Sequence, residues 1–103
     1  MKAKTFTERV YEIASLIPKG KVMTYGKLAE LAGNSKASRA VGMAMRNNPS
    51  RKNVPCHRVV ASTGALTGYA FGNGISTKKS ILKKEGVEFK GEKVALSTSG
   101  WNG

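Results

Sequence analysis

Apolar residues recur every three or four positions early in the chain, which is the spacing of one face of an α-helix. Phe6 and Val10 begin this series and Pro18 ends it. Thr5 and Glu8 stand three residues apart at its start, as in a capping box, where each side chain bonds to the other residue's backbone N–H. We therefore predict a first helix that begins at Phe6 and ends before Pro18.

Two shorter helices are predicted next. Thr24 suits the N-cap position of a helix over residues 25–32, which Gly33 would end. Ser35 would cap a third helix over residues 36 to about 47, before an Asn-Pro pair. Two short helices joined by a glycine-containing turn form a helix-turn-helix candidate.

The second half of the chain has shorter segments. Residues 51–62 contain Pro, Cys and a β-branched run, which predicts a loop leading into a short buried segment. A glycine-rich loop over residues 63–76 precedes a fourth helix, predicted over residues 76–85 with Gly86 as its C-cap. Residues 87–96 alternate apolar and polar positions around a Lys-Gly pair, which predicts a hairpin. The expected fold is mainly α: one small winged-helix-like domain over residues 1–103, with a helix-turn-helix, short strands and a C-terminal hairpin.

The charge balance favours a polyanionic partner. Lysine and arginine number 18 against 6 acidic residues, all glutamate, which gives a formal net charge of +12. The electrostatic field of so large a positive charge attracts nucleic acid first and anionic membranes second. No apolar run approaches the roughly 20 residues needed to span a bilayer, and the charged N-terminal region is unlike a signal peptide. We expect a cytoplasmic location, nucleoid-associated in a prokaryote, and no membrane partner.

Cysteine and histidine each occur once. One cysteine cannot form an internal disulfide, which is typical of a reducing compartment. A zinc site needs about four ligands, and one thiol with one imidazole falls short of that. We expect no metal site and no cofactor.

The predicted third helix carries cations on a body of small residues. Lys36, Arg39 and Arg46 stand among Ala37, Ser38, Ala40, Gly42 and Ala44. Small residues let a helix backbone approach another surface closely, while arginines reach phosphates or grooves. The same composition also suits a close helix–helix contact in the core, so both interpretations stay open on the residues alone.

Cys56 and His57 are neighbours in "NVPCHRVV", residues 53–60. An unassisted thiol has a pKa of about 8.5, so a nucleophilic cysteine needs a base or cation nearby. Neighbouring side chains on an extended segment point apart, so a Cys–His pair requires a turn or an intervening water. A third group must orient the imidazole, and Glu85 is the best candidate because it shares a helix face with Ile81 and Leu82. The alternative is a small buried cysteine beside a core histidine.

The segment "VPCHRVV", following "TYGKLAELAG" and "ASRAVGMAMRNNP", strongly resembles the DNA-binding, active-site domain of the O6-alkylguanine-DNA alkyltransferases over roughly residues 6–87. The resemblance implies that Cys56 accepts the alkyl group and keeps it. His57 would deprotonate Cys56 through a water, Glu85 would orient His57, and Asn48 would brace the cysteine loop by hydrogen bonds.

The resemblance also implies a helix-turn-helix that enters the minor groove of duplex DNA containing O6-alkylguanine. Arg39 would fill the gap left by an extruded base, and Tyr25 would drive the extrusion and contact the guanine ring. Backbone around Cys56 and Val59 would accept from the guanine amine. The remaining implied contacts are Tyr69 as a pocket wall, and Arg46, Ala37, Ser38 and Gly42 along the DNA.

Elementary chemistry supports the same assembly. The O6 atom of a paired guanine lies in the stack, so a protein nucleophile needs the base flipped out, at a cost of a few kcal/mol. Little sequence preference is expected because the minor-groove code is degenerate. An S-alkyl thioether is a poor leaving group, and the chain has no second thiol to remove it, so one turnover is expected.

Two other functions compete with the enzyme. The compact size and the tail "GEKVALSTSGWNG" are similar to the alkyltransferase-like proteins, which bind alkylated guanine but have lost the cysteine; Cys56 favours the enzyme. A helix-turn-helix regulator would show an operator preference and usually dimerise. Nothing here resembles a dimerisation segment, so we expect a monomer.

Overall fold

The first helix begins where its capping box predicts. In the computed structural model, which describes residues 4–48, 53–67 and 73–103, α1 spans Phe6–Ala14. The backbone N–H of Glu8 donates to the Thr5 hydroxyl and that of Thr5 donates to the Glu8 carboxylate, both at 3.1 Å. The other elements in these ranges are β1 (Met23–Thr24), α2 (Tyr25–Leu31), α3 (Ser38–Arg46), a 3₁₀ turn (Cys56–Arg58), β2 (Val59–Val60), α4 (Ile75–Lys84), β3 (Phe89–Lys90), β4 (Lys93–Val94) and α5 (Leu96–Ser99).

The predicted fold class is confirmed: the domain is mainly α, with a helix-turn-helix formed by α2 and α3, short strands and a C-terminal hairpin. Thr24 caps α2 through its hydroxyl, which accepts from the backbone N–H of Lys27 at 3.1 Å. Gly33 follows α2 with a φ of 107°, a conformation that glycine adopts readily.

The predicted start of the third helix is wrong. Helix α3 begins at Ser38, with Ala37 as N-cap and no side-chain cap, so Ser35 does not cap it. Asn34 explains the shift: its side-chain oxygen accepts from the backbone N–H of Lys36 at 3.0 Å, and its carbonyl accepts from that of Ala37 at 3.0 Å. These bonds hold residues 34–37 in a turn, as asparagine side chains often do.

Helices α1, α2 and α3 pack around the larger of two apolar clusters. Tyr11 in α1 donates its hydroxyl to the carbonyl of Ala44 in α3 at 2.7 Å. Arg9 in α1 donates Nε to the carbonyl of Ala32, just after α2, at 2.6 Å. Fully buried members of the cluster include Val10, Ala14, Leu28, Val41 and Val59.

A parallel pair of two-residue strands brings distant parts of the chain together. Met23 pairs with Val59 and Thr24 with Val60. Because Tyr25 follows β1 and the 3₁₀ turn precedes β2, this pairing sets the start of α2 beside the cysteine segment. Neither strand is long enough to show the alternation from which pairing is predicted.

The C-terminal segment begins as the predicted hairpin and then departs from it. Phe89 pairs with Val94 and Lys90 with Lys93. Leu96, expected in the hairpin, instead starts the short helix α5. After α5 the tail runs along β1: Val22 donates its N–H to the carbonyl of Ser99, and its carbonyl accepts from the N–H of Trp101, both at 2.8 Å.

No helix within the described ranges is long and apolar enough to cross a membrane.

Candidate active site

The 3₁₀ turn supplies the local geometry that a Cys–His pair requires. The N–H of Cys56 donates to the carbonyl of Val54 at 2.8 Å, and that of Arg58 to Pro55 at 2.9 Å. The turn buries Cys56, which is 3% exposed, and leaves His57 partly buried. Cys56 and His57 thus lie in a turn, which is one of the two arrangements that a Cys–His pair would need.

Glu85, the residue that caps the end of α4, lies against the imidazole. Its Oε2 is 3.0 Å from His57 Nε2. A carboxylate accepts hydrogen bonds and does not donate them, so the Nε2 of a neutral ring carries the proton. The other nitrogen, Nδ1, is then the acceptor that can take a proton.

Arg58 completes this group, and the sequence did not indicate its role. Its Nε donates to Glu85 Oε1 at 3.0 Å, and its Nη2 donates to Oε2 at 2.7 Å. Nη1 reaches the carbonyl of Ile17 at 2.8 Å. This two-pronged contact fixes the carboxylate plane, and the Ile17 bond ties the turn to the segment after α1.

The pKa values of the pair shift in the direction that a base requires. Burial lowers the pKa of His57 most; the Glu85 hydrogen bond and charge raise it in part, and the charges of Arg58 and Lys78 lower it further. Burial raises the pKa of Glu85, but the hydrogen bonds from Arg58 and His57 outweigh it and hold the pKa below its usual value. At neutral pH the imidazole is therefore neutral and the carboxylate charged.

Asn48 lies just after α3 and is buried. Its Nδ2 donates to the carbonyl of Val54 at 2.7 Å, two residues before Cys56. The contact that the resemblance implied for Asn48, a bond to the cysteine loop, is present.

Lys78 is a second residue that sequence reasoning missed. Its side chain is 1% exposed, and Nζ donates to the carbonyls of Val59 at 2.7 Å and Thr67 at 2.9 Å. Burial lowers the pKa of Lys78 to about 8, although the electrostatic interaction with Cys56 acts in the opposite direction. The signal was available in the helical spacing, because Lys78 precedes Leu82 by four and Glu85 by seven residues.

Tyr25 joins this network from the start of α2. Its hydroxyl donates to the same Thr67 carbonyl at 2.9 Å, and Lys78 Nζ lies 5.8 Å from its ring centroid. Burial raises the pKa of Tyr25, the hydrogen bond to Thr67 lowers it, and the charge of Cys56 raises it further. Tyr25 and Lys78 therefore both lie within electrostatic range of Cys56.

An open cavity of about 320 Å³ begins at Tyr25 and runs along the outer face of α3. Its lining brings together most of the residues expected at a DNA contact, and none of the described lining residues is acidic. It is lined by Tyr25, Ser38, Arg39, Gly42, Met43, Arg46 and Thr67.

Three of the residues expected at the DNA contact are not among the described residues that line this cavity. Ala37 is at the N-cap of α3 and does not line this cavity. The carbonyl of Val59 already accepts from Lys78 Nζ, which leaves one lone pair for a further donor. Tyr69 lies outside the described residues.

Within residues 4–48, 53–67 and 73–103, no three histidine, cysteine or acidic side chains lie together as a metal ion would need.

Comparison with known protein families shows which family this chain belongs to. Residues 5–87 match the family described as 6-O-methylguanine DNA methyltransferase, DNA binding domain. The chain belongs to this family. The resemblance inferred from "VPCHRVV" and its flanking segments is thus confirmed.

The curated relatives are longer than this chain. A methylated-DNA–protein-cysteine methyltransferase of Methanosarcina acetivorans is 48% identical over 81 residues, which are 79% of this chain and 51% of the relative. The chain spans about half the length of the curated relatives that it matches, or less.

Two solved structures share the fold. The Mycobacterium tuberculosis protein OGT in complex with DNA is 40% identical, with a TM-score of 0.73, over 82% of this chain and 52% of that one. S. pombe Atl1, solved with damaged DNA containing O6-carboxymethylguanine, is 33% identical, with a TM-score of 0.80. That match covers 98% of both chains.

Proposed function

We propose that this protein repairs duplex DNA by moving an alkyl group from guanine O6 to Cys56 in a single turnover. Sγ of Cys56 attacks the alkyl carbon, an S–C bond forms and the C–O6 bond breaks. The thiol proton first passes through a water to Nδ1 of His57. The electron pair of the broken bond returns to the guanine, whose N1 then takes up one proton from solvent, and His57 returns its extra proton to solvent.

The observation that carries this proposal is the ordered group of Cys56, His57, Glu85 and Arg58. Glu85 assigns the proton of the imidazole to Nε2, so that Nδ1 is free to accept. Arg58 holds Glu85 in place with two hydrogen bonds. A nucleophile, a base and a group that orients the base are the parts that covalent catalysis by a thiol requires.

The cavity along α3 supports extrusion of the damaged base before transfer. Guanine O6 cannot reach a protein thiol from inside the stack. Tyr25 lines the cavity and is within electrostatic range of Cys56, so a base entering from this side meets Tyr25 on its way to the thiol. Arg39 and Arg46 in the same lining supply cations for the DNA backbone or the vacated position.

The mass of the intact protein tests the transfer. After incubation with a duplex that contains O6-methylguanine, we expect the protein to gain one methyl group, located on Cys56, and the duplex to be repaired. Cys56→Ala should gain none. An unchanged mass with a free, intact Cys56 would overturn the proposal.

A second function, damage recognition without transfer, is favoured by one observation: the match to S. pombe Atl1 covers 98% of both chains. This alternative expects tight binding to the same duplex, no methyl transfer, and little effect of Cys56→Ala on binding. The presence of Cys56 in the group described above favours the transferase.

The role of Arg39 in base extrusion has its own test. Arg39→Ala should slow the reaction with duplex substrate far more than the reaction with free O6-benzylguanine, which needs no extrusion. Lys36→Ala, which removes one charge just before α3, is the control and should slow the duplex reaction much less. Equal slowing of both substrates by Arg39→Ala would show that Arg39 does not assist extrusion.

A further inference from the structure

The outer face of α3 carries one large apolar side chain that the proposed chemistry does not use. Met43 is 54% exposed and lines the 320 Å³ cavity. The opposite face of the helix packs into the core through Val41, Ala44 and Met45. Met43 is thus left uncovered in this protein, at the surface where DNA is expected to bind.

Gly42, the residue before Met43, makes the surface uneven. A Cβ built at Gly42 would have no atom within 4 Å, so the backbone there faces open space. The face therefore has a recess at Gly42 and an apolar projection at Met43. A partner that enters the recess must touch the methionine.

The charges around Met43 identify the chemistry of that partner. Arg39 precedes Met43 by four residues and Arg46 follows it by three, so both lie on the same helix face. None of the described residues that line the cavity is acidic, so this surface presents one cation on each side of an apolar group. Duplex DNA has the matching pattern, because rows of phosphates border the apolar faces of its sugars.

We propose that Met43 enters the minor groove and packs on deoxyribose and base edges next to the damaged nucleotide; this rests on the proposed binding of alkylated DNA. Proteins that bind this groove commonly insert apolar side chains, methionine among them, at or between base steps. Arg46 anchors the backbone on one side, Arg39 occupies the space that the base leaves on the other, and Met43 widens that gap.

Binding of three Met43 variants to a duplex containing O6-methylguanine tests the contact. Met43→Ala and Met43→Gln should weaken binding by roughly five- to tenfold, since each removes apolar surface that the contact buries. Met43→Leu, which keeps an apolar side chain of similar size, should bind within about twofold of the native protein. Met43 is exposed, so the three variants should fold normally, and thermal unfolding should confirm this.

The salt dependence of binding shows whether a Met43 variant loses an apolar contact or disturbs the contacts of neighbouring cations with phosphate. Met43→Ala should keep the native slope of log affinity against log salt, whereas Arg46→Ala should reduce that slope by about 0.9. Leu16→Ala is the matched control: Leu16 is 65% exposed, apolar and outside the cavity lining, and its loss should leave affinity unchanged.

The possible failures are distinguishable. Native affinity in Met43→Ala, or in Met43→Gln, would overturn the apolar contact, and so would a reduced salt slope in Met43→Ala. A native protein that binds the duplex but transfers no methyl group would remove the transferase proposal and leave the Met43 comparison valid. A native protein that does not bind duplex DNA would overturn both.

Discussion

Glu85 accepts three hydrogen bonds, two from Arg58 and one from His57. At the scale of single residues, this carboxylate determines which imidazole nitrogen holds a proton and how readily the ring takes a second one. Arg58 keeps the carboxylate ionised and oriented, although it is remote from the thiol proton itself. Arg58 is therefore a positioning residue, and Glu85 acts through His57.

Glu85→Gln should slow alkyl transfer from O6-benzylguanine at least about tenfold, because general bases contribute 10²–10⁴-fold and this one loses its orienting charge. The rate should also depend on pH. In the native protein it should fall only below the usual His57 value of 6.5, since burial lowers the pKa of His57. Loss of the Glu85 charge, which raises that pKa, should move the fall to still lower pH.

Rates measured between about pH 5 and pH 8 check this shift, with Glu88→Gln as the matched change of charge outside the group. An unchanged rate and pH profile in Glu85→Gln would show that the His57–Glu85 contact is structural only.

Lys78 should make folding stability depend on pH. Its pKa is about 8 in the folded protein and about 10.4 in an unfolded chain, so between these values the unfolded chain binds more protons and stability rises with pH. Relative to Lys78→Met, the unfolding free energy of the native protein should therefore rise by up to about 3 kcal/mol between about pH 7 and pH 10.5.

Urea unfolding across this range measures the difference. Lys79→Met alters the neighbouring lysine, which is more exposed and pairs with Glu92, and its curve should run parallel to that of the native protein. A constant gap between the native protein and Lys78→Met would mean that Lys78 does not titrate in this range.

The sequence was sufficient to single out the proposed nucleophile, base and orienting carboxylate, but not the residues that bond to them. Cys56 and His57 are unique in the chain, and helix spacing placed Glu85 on a buried face. The role of Arg58 could not be assigned, because its partners include the carbonyl of Ile17. Helical spacing could have placed Lys78 on the face of Leu82 and Glu85, but it could not show the bond to the carbonyl of Val59. Every residue has a carbonyl, so the sequence does not distinguish one that will be bonded.

At the scale of elements, α3 meets two opposite requirements. Its inner face packs into the core, and its outer face is nearly bare at Gly42. Glycine inside a helix costs about 0.5–1 kcal/mol relative to alanine. Because no side chain of the described protein fills the space at Gly42, the benefit of glycine there lies in what binds.

Gly42→Ala should raise the unfolding free energy by about 0.5–1 kcal/mol and weaken duplex binding, because the added methyl group occupies the recess. Thermal unfolding and duplex titration check the two effects together. Gly26→Ala in α2 is the matched control, since a Cβ there also meets nothing within 4 Å and Gly26 does not line the cavity. It should leave affinity unchanged; a Gly42→Ala protein with native affinity would contradict close approach of DNA.

Helices with a strong apolar periodicity or a capping residue could be predicted from the sequence. The pairing of two-residue strands could not. The capping box of α1 and the Thr24 cap of α2 appear as expected. The start of α3 was misplaced because Asn34 holds the preceding residues in a turn. The pairing of β1 with β2 depends on tertiary packing, since two residues carry no alternation.

At the scale of the whole molecule, the net charge and the pairing of β1 with β2 both bear on the outer face of α3. We expect the formal net charge of +12 to draw the protein toward DNA from any direction. We expect the arginines of α3 then to fix where contact is made. The parallel pairing of β1 and β2 sets the start of α2 beside the cysteine turn, so that the proposed binding surface and the proposed nucleophile lie on either side of Tyr25.

The tail beyond α5 has a consequence for how copies of this protein behave toward each other. The carbonyl of Ser99, at the end of α5, and the N–H of Trp101 bond to the two backbone polar groups of Val22, next to β1. A chain that stops at Ala95 would leave this edge open, and an open strand edge is a template for another chain. Such a protein should self-associate in light scattering, whereas Trp101→Ala, which keeps the backbone bonds, should not. If the shortened chain stays dispersed, the tail is not a guard against aggregation.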